Sequence, residues 1–146
     1  MSADEPRGEF VDTNILIYAF DRTAGEKHRI AAELVTRLWM ERRGWISLQV
    51  MQEFYVTATG KLKLPADQAA SQVRRLRLWR VHRPLVEDIL AAIELHQHHS
   101  VSFWDSLILR SAHATQCSVL WSEDLSSGQR WGSLEVRNPF AGQFPR

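Results

Sequence analysis

The sequence predicts an α/β fold, a mainly parallel sheet of short strands covered by helices. Two observations predict it. Short β-branched and aromatic runs alternate with helical stretches of roughly ten or more residues, the pattern of parallel strands joined through helices. The helical stretches include amphipathic stripes and one that is apolar almost all round, as a buried helix is.

Residues 1–8, acidic and polar, are expected as a loose leader, and residues 9–146 as a single domain. Glu9 to Asp12 is predicted as a strand passing directly into a helix over Thr13–Phe20, with Asp12 or Thr13 as its N-cap. Asp21 to Gly25 breaks that helix. A second helix runs from Glu26 to about Arg43, with Ile30, Leu34, Val35, Leu38 and Trp39 on one face. Arg42-Arg43-Gly44 places cations before a glycine at its C-terminus. Trp45-Ile46 is a short strand, and Ser47 caps a third helix reaching about Thr59. Gly60 and Pro65 punctuate the next connection, and a fourth helix extends from Ala66 to about Leu78. Trp79 to His82 is a brief strand, Leu85 to His98 an amphipathic helix, and Ser102 opens a helix ending near Thr115. Ser118 to Trp121 and Leu134 to Arg137 complete the strands.

Apolar residues make up 45% of the 146 positions and charged residues 24%, an ordinary globular balance that excludes disorder. No apolar run approaches the ~20 residues that span a bilayer, and the acidic N-terminus is not a secretory signal. No membrane role is expected. Cys117, the one cysteine, excludes an internal disulfide and points to the reducing cytoplasm. The formal net charge is +1, so any grip on nucleic acid must come from a local patch.

Asp12 falls at the carboxyl end of the first strand, the edge of an open α/β sheet where ligands collect. It is also a good N-cap, and both roles are open to it. Asp105 lies in Phe103-Trp104-Asp105-Ser106-Leu107-Ile108-Leu109 and shares a face with Ile108, Leu109 and Ala112. Ser102-x-x-Asp105 fits a capping box, yet a carboxylate buried there still needs a partner, and a metal ion is one. Asp124, in Ser122-Glu123-Asp124-Leu125, repeats the arrangement at Asp12: apolar strand, hydroxyl residue, acid. An acidic surface turn is the plain alternative, with Glu123 as a solvated neighbour or a further member of the site. Glu53 falls beside or opposite the apolar face of Val50, Met51, Phe54, Tyr55 and Ala58, so periodicity reads it as solvated. Clustered acids repel one another unless a cation or protons intervene. Mg2+ and Mn2+ take carboxylate, phosphate and water oxygens, and a pair of such ions can drive phosphodiester cleavage.

Phe10-Val11-Asp12-Thr13-Asn14-Ile15-Leu16, Gln52-Glu53-Phe54, Phe103-Trp104-Asp105-Ser106-Leu107-Ile108 and Ser122-Glu123-Asp124-Leu125 follow in that order. Together they resemble the PIN-domain ribonucleases, most of all the VapC-type toxins of bacterial toxin–antitoxin pairs. The likeness extends to Gly128-Gln129 and Val136-Arg137-Asn138-Pro139-Phe140, and so covers about residues 9–140. It implies a three-layer α/β/α domain and a Mg2+- or Mn2+-dependent endoribonuclease site formed by Asp12, Glu53, Asp105 and Asp124. Only the resemblance promotes Glu53. It makes Thr13, Asn14 and Ser122 accessory polar groups that position an acid or a metal-bound water. It also implies an RNA substrate, a homodimer, and a cognate antitoxin protein that blocks the pocket. Glu123 departs from the pattern, since many relatives carry no glutamate there.

Arg74, Arg75, Arg77, Arg80 and Arg83, interleaved with Leu76, Leu78 and Trp79, form either an RNA path or a solvated helix face. His96, His98 and His99 crowd a helix end without zinc-ligand spacing. Trp39, Trp45, Trp79, Trp104, Trp121 and Trp131 are expected in the core and a dimer interface rather than as base-stacking platforms. No G-x-G-x-x-G, P-loop or G-x-S-x-G occurs, which weighs against dinucleotide, nucleoside-triphosphate and serine-hydrolase chemistry. Two alternatives come from other classes. A haloacid-dehalogenase-like phosphatase also begins with a strand-end aspartate but wants a second acid where this chain has Asn14. A catalytically silent PIN fold would bind RNA or protein without cutting.

Overall fold

The computed structural model describes residues 6–142. In chain order its first half comprises β1 (Glu9–Val11), α1 (Thr13–Phe20), a single turn over Arg22–Ala24, α2 (Glu26–Glu41), β2 (Gly44–Ser47) and α3 (Leu48–Gly60). The second half comprises α4 (Ala66–Leu76), β3 (Arg80–His82), α5 (Val86–His98), α6 (Phe103–Ala114), β4 (Val119–Trp121), β5 (Arg130–Trp131) and β6 (Leu134–Arg137).

β1 is buried at every position because it lies inside the sheet, whose order is β3-β2-β1-β4-β6-β5. All pairings are parallel except β5 against β6. Phe10, Val11, Ile46, Leu120 and Val136 carry the sheet's part of the core. On the helical side α1 packs against α2 and α3, and α3 against α4; α5 packs on α6, which meets β2 and β4. The result is the expected α/β/α arrangement. From β1 the chain goes to β2 and β3 on one side and returns to β4 on the other. The carboxyl ends of β1 and β4 therefore flank a topological switch point, where open α/β sheets bind ligands.

Several elements differ from their expected form. α2 stops on Arg42 itself, in the left-handed region at φ 56°, with its N–H on the Leu38 and Trp39 carbonyls. Gly44 is not the helix stop but the first residue of β2, and its lack of a side chain admits Trp79. A Cβ there would lie 2.2 Å from Trp79 Cζ3. α4 ends at Leu76 because the Leu78 and Trp79 N–H groups turn back to Arg75 O (3.1 Å) and Leu76 O (3.0 Å). β5 is too short to show a period; it is made by the turn at Gly132, φ 63°, which folds Trp131 back against Leu134. Arg7 and Gly8, expected in the leader, belong to the fold. Arg7 donates to Gln116 O (2.8 Å), Cys117 O (3.0 Å) and Ser133 Oγ (2.9 Å), and Gly8 O accepts from Ser118 N (2.9 Å). Residues 1–5 of that leader and residues 143–146 lie outside the described residues.

None of the six tryptophans is fully buried: Trp45, Trp79, Trp121 and Trp131 pack on the rim of the core, and Trp39 and Trp104 are exposed. Trp121 donates its indole N–H to Glu9 (2.7 Å), as an amphipathic ring at a core edge does, while among the described residues the Trp131 indole N–H is buried without a partner. No helix among the described residues is long and apolar enough to cross a membrane. Cys117 is buried, which pushes its thiol up to about 11 and leaves it inert.

Candidate active site

The carboxyl end of β1 builds the site. Val11 pairs with Trp121 across the β1–β4 seam, so the next residues, Asp12 and Ser122, are neighbours as a matter of register. Asp12 N–H donates to Trp121 O (3.0 Å), and Ser122 Oγ donates to Asp12 Oδ2 (2.8 Å). The other carboxylate oxygen accepts the Thr13 N–H (2.7 Å), so Asp12 also caps α1. Ligand and cap were alternatives in the sequence; the geometry lets one carboxylate serve both.

The two residues after Asp12 each hold a distant acid. Thr13 Oγ1 donates to Glu53 Oε1 (2.6 Å), and Asn14 Nδ2 donates to Asp124 Oδ2 (2.7 Å). Glu53 stands on the flank of the buried stripe of α3 (Val50, Phe54, Ala58), turned toward α1. Periodicity misses it because its partner lies forty residues away in the chain. Gln49, one turn earlier, adds a bond from Nε2 to Glu53 Oε2 (3.3 Å) and another to Trp104 O (3.2 Å), tying α3 to the start of α6. The i, i+4 spacing of Gln49 and Glu53 was the available signal for this glutamine.

Asp105 is half-buried in the first turn of α6. Its N–H donates to Ser102 Oγ (3.1 Å), the forward half of the expected capping box. Asp12, Glu53, Asp105 and Asp124 line one cleft of ≈ 360 Å³ together with Thr13, Asn14, Gln52 and Thr57, and no Lys or Arg is among the lining residues. Ser122 sits beneath, fully buried on Asp12.

Two buried acids at opposite ends of β1 make the electrostatics plain. For Glu9, burial works against ionisation, but hydrogen bonds from Arg37 (3.0 Å) and Trp121 Nε1 (2.7 Å) and the charges of Arg37 and Arg43 win. Its carboxyl is held below the ordinary value. Asp12, only 6% exposed, has no cation. Burial pushes its carboxyl up, the bonds from Ser122 and Thr13 oppose this, and the charges of Glu53 and Asp105 raise it again, to about 6. Asp124 is raised too, first by desolvation and then by Asp105, Glu123 and Glu53. Glu123 itself turns away from the cleft. Tyr18 OH donates to one of its oxygens (2.8 Å) and Lys27 pairs with the other.

Among the described residues no three His, Cys, Asp or Glu side chains are gathered tightly enough to hold one ion together. The four carboxylates line the cleft from four elements rather than meeting at a point. The expected arginine run is dispersed: Arg74, Arg77 and Arg83 are simply exposed, Arg75 faces a different cleft, and Arg80 donates to Arg42 O (3.1 Å). Of the histidines at the end of α5, His96 is bonded to Val101 O (2.6 Å), His99 lies edge-on to Trp131, and His98 is exposed.

The chain belongs to the PIN domain family, whose model matches residues 10–126. Three solved structures share the fold. VapC20 of Mycobacterium tuberculosis, a sarcin–ricin loop cleaving toxin, is similar with a TM-score of 0.61 at 19% identity, covering 80% of this chain and 90% of that one. A chain of a toxin–antitoxin complex from Klebsiella pneumoniae is similar with a TM-score of 0.69 at 20% identity, covering 90% and 98%. A chain of VapBC2 from Rickettsia felis, bound to a promoter DNA fragment, gives 0.63 at 17% identity, covering 89% and 97%. No curated protein sequence gives a match.

Proposed function

We propose that the protein is a divalent-metal-dependent endoribonuclease that acts in the cytoplasm as the toxin of a toxin–antitoxin pair. One observation carries this: four separate elements each deliver a carboxylate to a cleft whose lining has no Lys or Arg to balance them. The donor set fits Mg2+ or Mn2+, being all oxygen and already pushed toward protonation at Asp12 and Asp124. Asp12, Asp105, Asp124 and Glu53 are the residues that would hold the ion. Mg2+ typically keeps only one or two carboxylates and fills its remaining positions with water and phosphate, which suits acids that line a cleft without converging. When bound, such an ion supplies Lewis acidity and an acidified water.

The chain's own groups do the positioning. Ser122 and the Thr13 N–H fix both oxygens of Asp12, Asn14 fixes Asp124, and Thr13 with Gln49 fixes Glu53. Glu53 completes the cluster or orients the attacking water. In-line attack by that water leaves a 5′-phosphate and a 3′-hydroxyl. An RNA substrate is supported by the loop-cleaving activity of VapC20, and an antitoxin partner by the two complexes. A homodimer is supported by apolar side chains left exposed at the N-cap of α5 (Leu85) and on α5 itself (Val86, Ile89, Leu90), and by Trp104, 63% exposed, on α6.

Incubation of labelled RNA with the protein, with Mn2+ or with chelator, beside an Asp12→Asn variant tests the proposal. Cleavage by the wild type in Mn2+ alone is expected. Cleavage that survives chelator, or that the variant matches, contradicts it. Hydrolysis of a small phosphoester but not RNA would instead favour a phosphatase, and RNA binding without cleavage a silent module.

A further inference from the structure

A second concavity, ≈ 840 Å³, opens at the other end of the α1–α3 seam. The carboxylate cleft is bordered by the first residues of α1 and by Glu53 and Thr57 of α3. The second cleft is bordered by the last residues of α1 and by Lys61 and Leu62, which follow α3 directly. Glu53, Thr57 and Lys61 stand at i, i+4 and i+8 on one face. Lys61 is thus about 12 Å along the helix axis from Glu53.

Three cations line this cleft: Arg22 from the turn after α1, Lys61, and Arg75 from α4. All three are exposed, and among the described residues none of them is ion-paired. Six other arginines, Arg29, Arg37, Arg43, Arg110, Arg130 and Arg137, hold carboxylates, while Arg7 and Arg80 bond backbone carbonyls and Arg74, Arg77 and Arg83 are exposed. What sets Arg22, Lys61 and Arg75 apart is that three segments bring them to one cleft. Asp21, the acid on the cleft wall, has one carboxylate oxygen engaged by the Thr23 N–H (3.0 Å) and hydroxyl (2.6 Å). Phe20 and Leu62 supply an apolar floor, which lowers the local dielectric and strengthens the pull on an anion. A chain of net charge +1 needs such a local patch to hold a polyanion.

We propose that this cleft binds a phosphate of the RNA strand flanking the one at the carboxylates, the strand running along α3 from Glu53 toward Lys61. This rests on the nuclease reading above. A strand with a phosphate at every residue can reach both sites at once, one phosphate at the metal-loaded acids and a flanking one at the three cations.

The test is fluorescence anisotropy of labelled single-stranded RNA over a salt series, with Ca2+ loading the acids in place of Mn2+, and cleavage in Mn2+ followed separately. It compares the wild type, the double variant Lys61→Glu/Arg75→Glu, and Arg74→Glu/Arg77→Glu, which changes the net charge equally on the outer face of α4. The cleft variant is expected to lose about tenfold or more in affinity at low salt. Its slope of log affinity against log salt should shrink by about 0.7 per lost phosphate contact. The outer-face variant should stay near wild type. Equal losses in both variants, or none in the cleft variant, overturn the proposal. Intact RNA binding with weakened binding of an acidic peptide overturns it in favour of a protein partner. A wild type that cuts RNA beside an unaffected cleft variant refutes this inference alone; a wild type that neither binds nor cuts RNA refutes the nuclease reading with it.

Discussion

Asp12→Asn should make the metal-free protein more stable while abolishing its chemistry. Asp12 is buried without a cation, and its carboxyl stands at about 6 against an ordinary 3.8. That difference is worth about 3 kcal/mol at 1.36 kcal/mol per pH unit. The sign follows from the direction. A carboxyl raised on folding favours the native state while protonated, below about pH 4, and that advantage is lost as pH climbs through about 6. Above pH 6 the wild type carries the full penalty and the amide does not. Asn caps a helix as well as Asp does, and it can still accept the Thr13 N–H. It cannot also accept from Ser122, which costs about 1 kcal/mol. The net gain is about 2 kcal/mol, or about 7 °C in a chain of this size. The assay is thermal unfolding in chelator at pH 7.5 and pH 4. The variant should lead at pH 7.5 and lose its lead at pH 4. A variant no more stable than the wild type at pH 7.5, or a difference independent of pH, would refute the account of Asp12 as an uncompensated buried acid.

Other outcomes follow from the same geometry. Thr13→Val removes the donor that holds Glu53 and should lower the RNA cleavage rate about tenfold, while urea unfolding shows a loss of only about 1–2 kcal/mol. Calorimetric Mn2+ titration should separate the neighbouring acids. Asp124→Asn should weaken binding about tenfold or more, and Glu123→Gln, which breaks only the Lys27 pair, by less than about fivefold. Gly44→Ala puts a methyl into the Trp79 ring and should cost about 1–3 kcal/mol in urea unfolding, with recovery when Trp79→Leu is added.

Much of the fold and three of the four cleft carboxylates were legible because their signals are local. Asp12 directly follows β1 and Asp124 lies in the turn just after β4, and parallel register then sets Asp12 beside Ser122 without further information. Asp105 was legible from its apolar helix and its cap. Glu53 was not, since what turns it inward is the Thr13 hydroxyl, and no helical period reports a contact between two separate helices. Gly44 read as a helix stop because glycine serves both that and close approach; only the tertiary position of Trp79 distinguishes them. The basic cleft was hidden for the same reason: Arg22, Lys61 and Arg75 come from three segments, while the conspicuous run from Arg74 to Arg83 scatters over the surface.

The most direct measurement is the rate of RNA cleavage at saturating Mn2+ by the wild type and by Asp12→Asn, Glu53→Gln, Asp105→Asn and Asp124→Asn. Folding of each variant is checked by cooperative unfolding. If the four carboxylates form one metal-dependent centre, each variant folds and cuts at least about a hundredfold more slowly. A folded variant of Asp12, Asp105 or Asp124 that cuts RNA at the wild-type rate would contradict that centre.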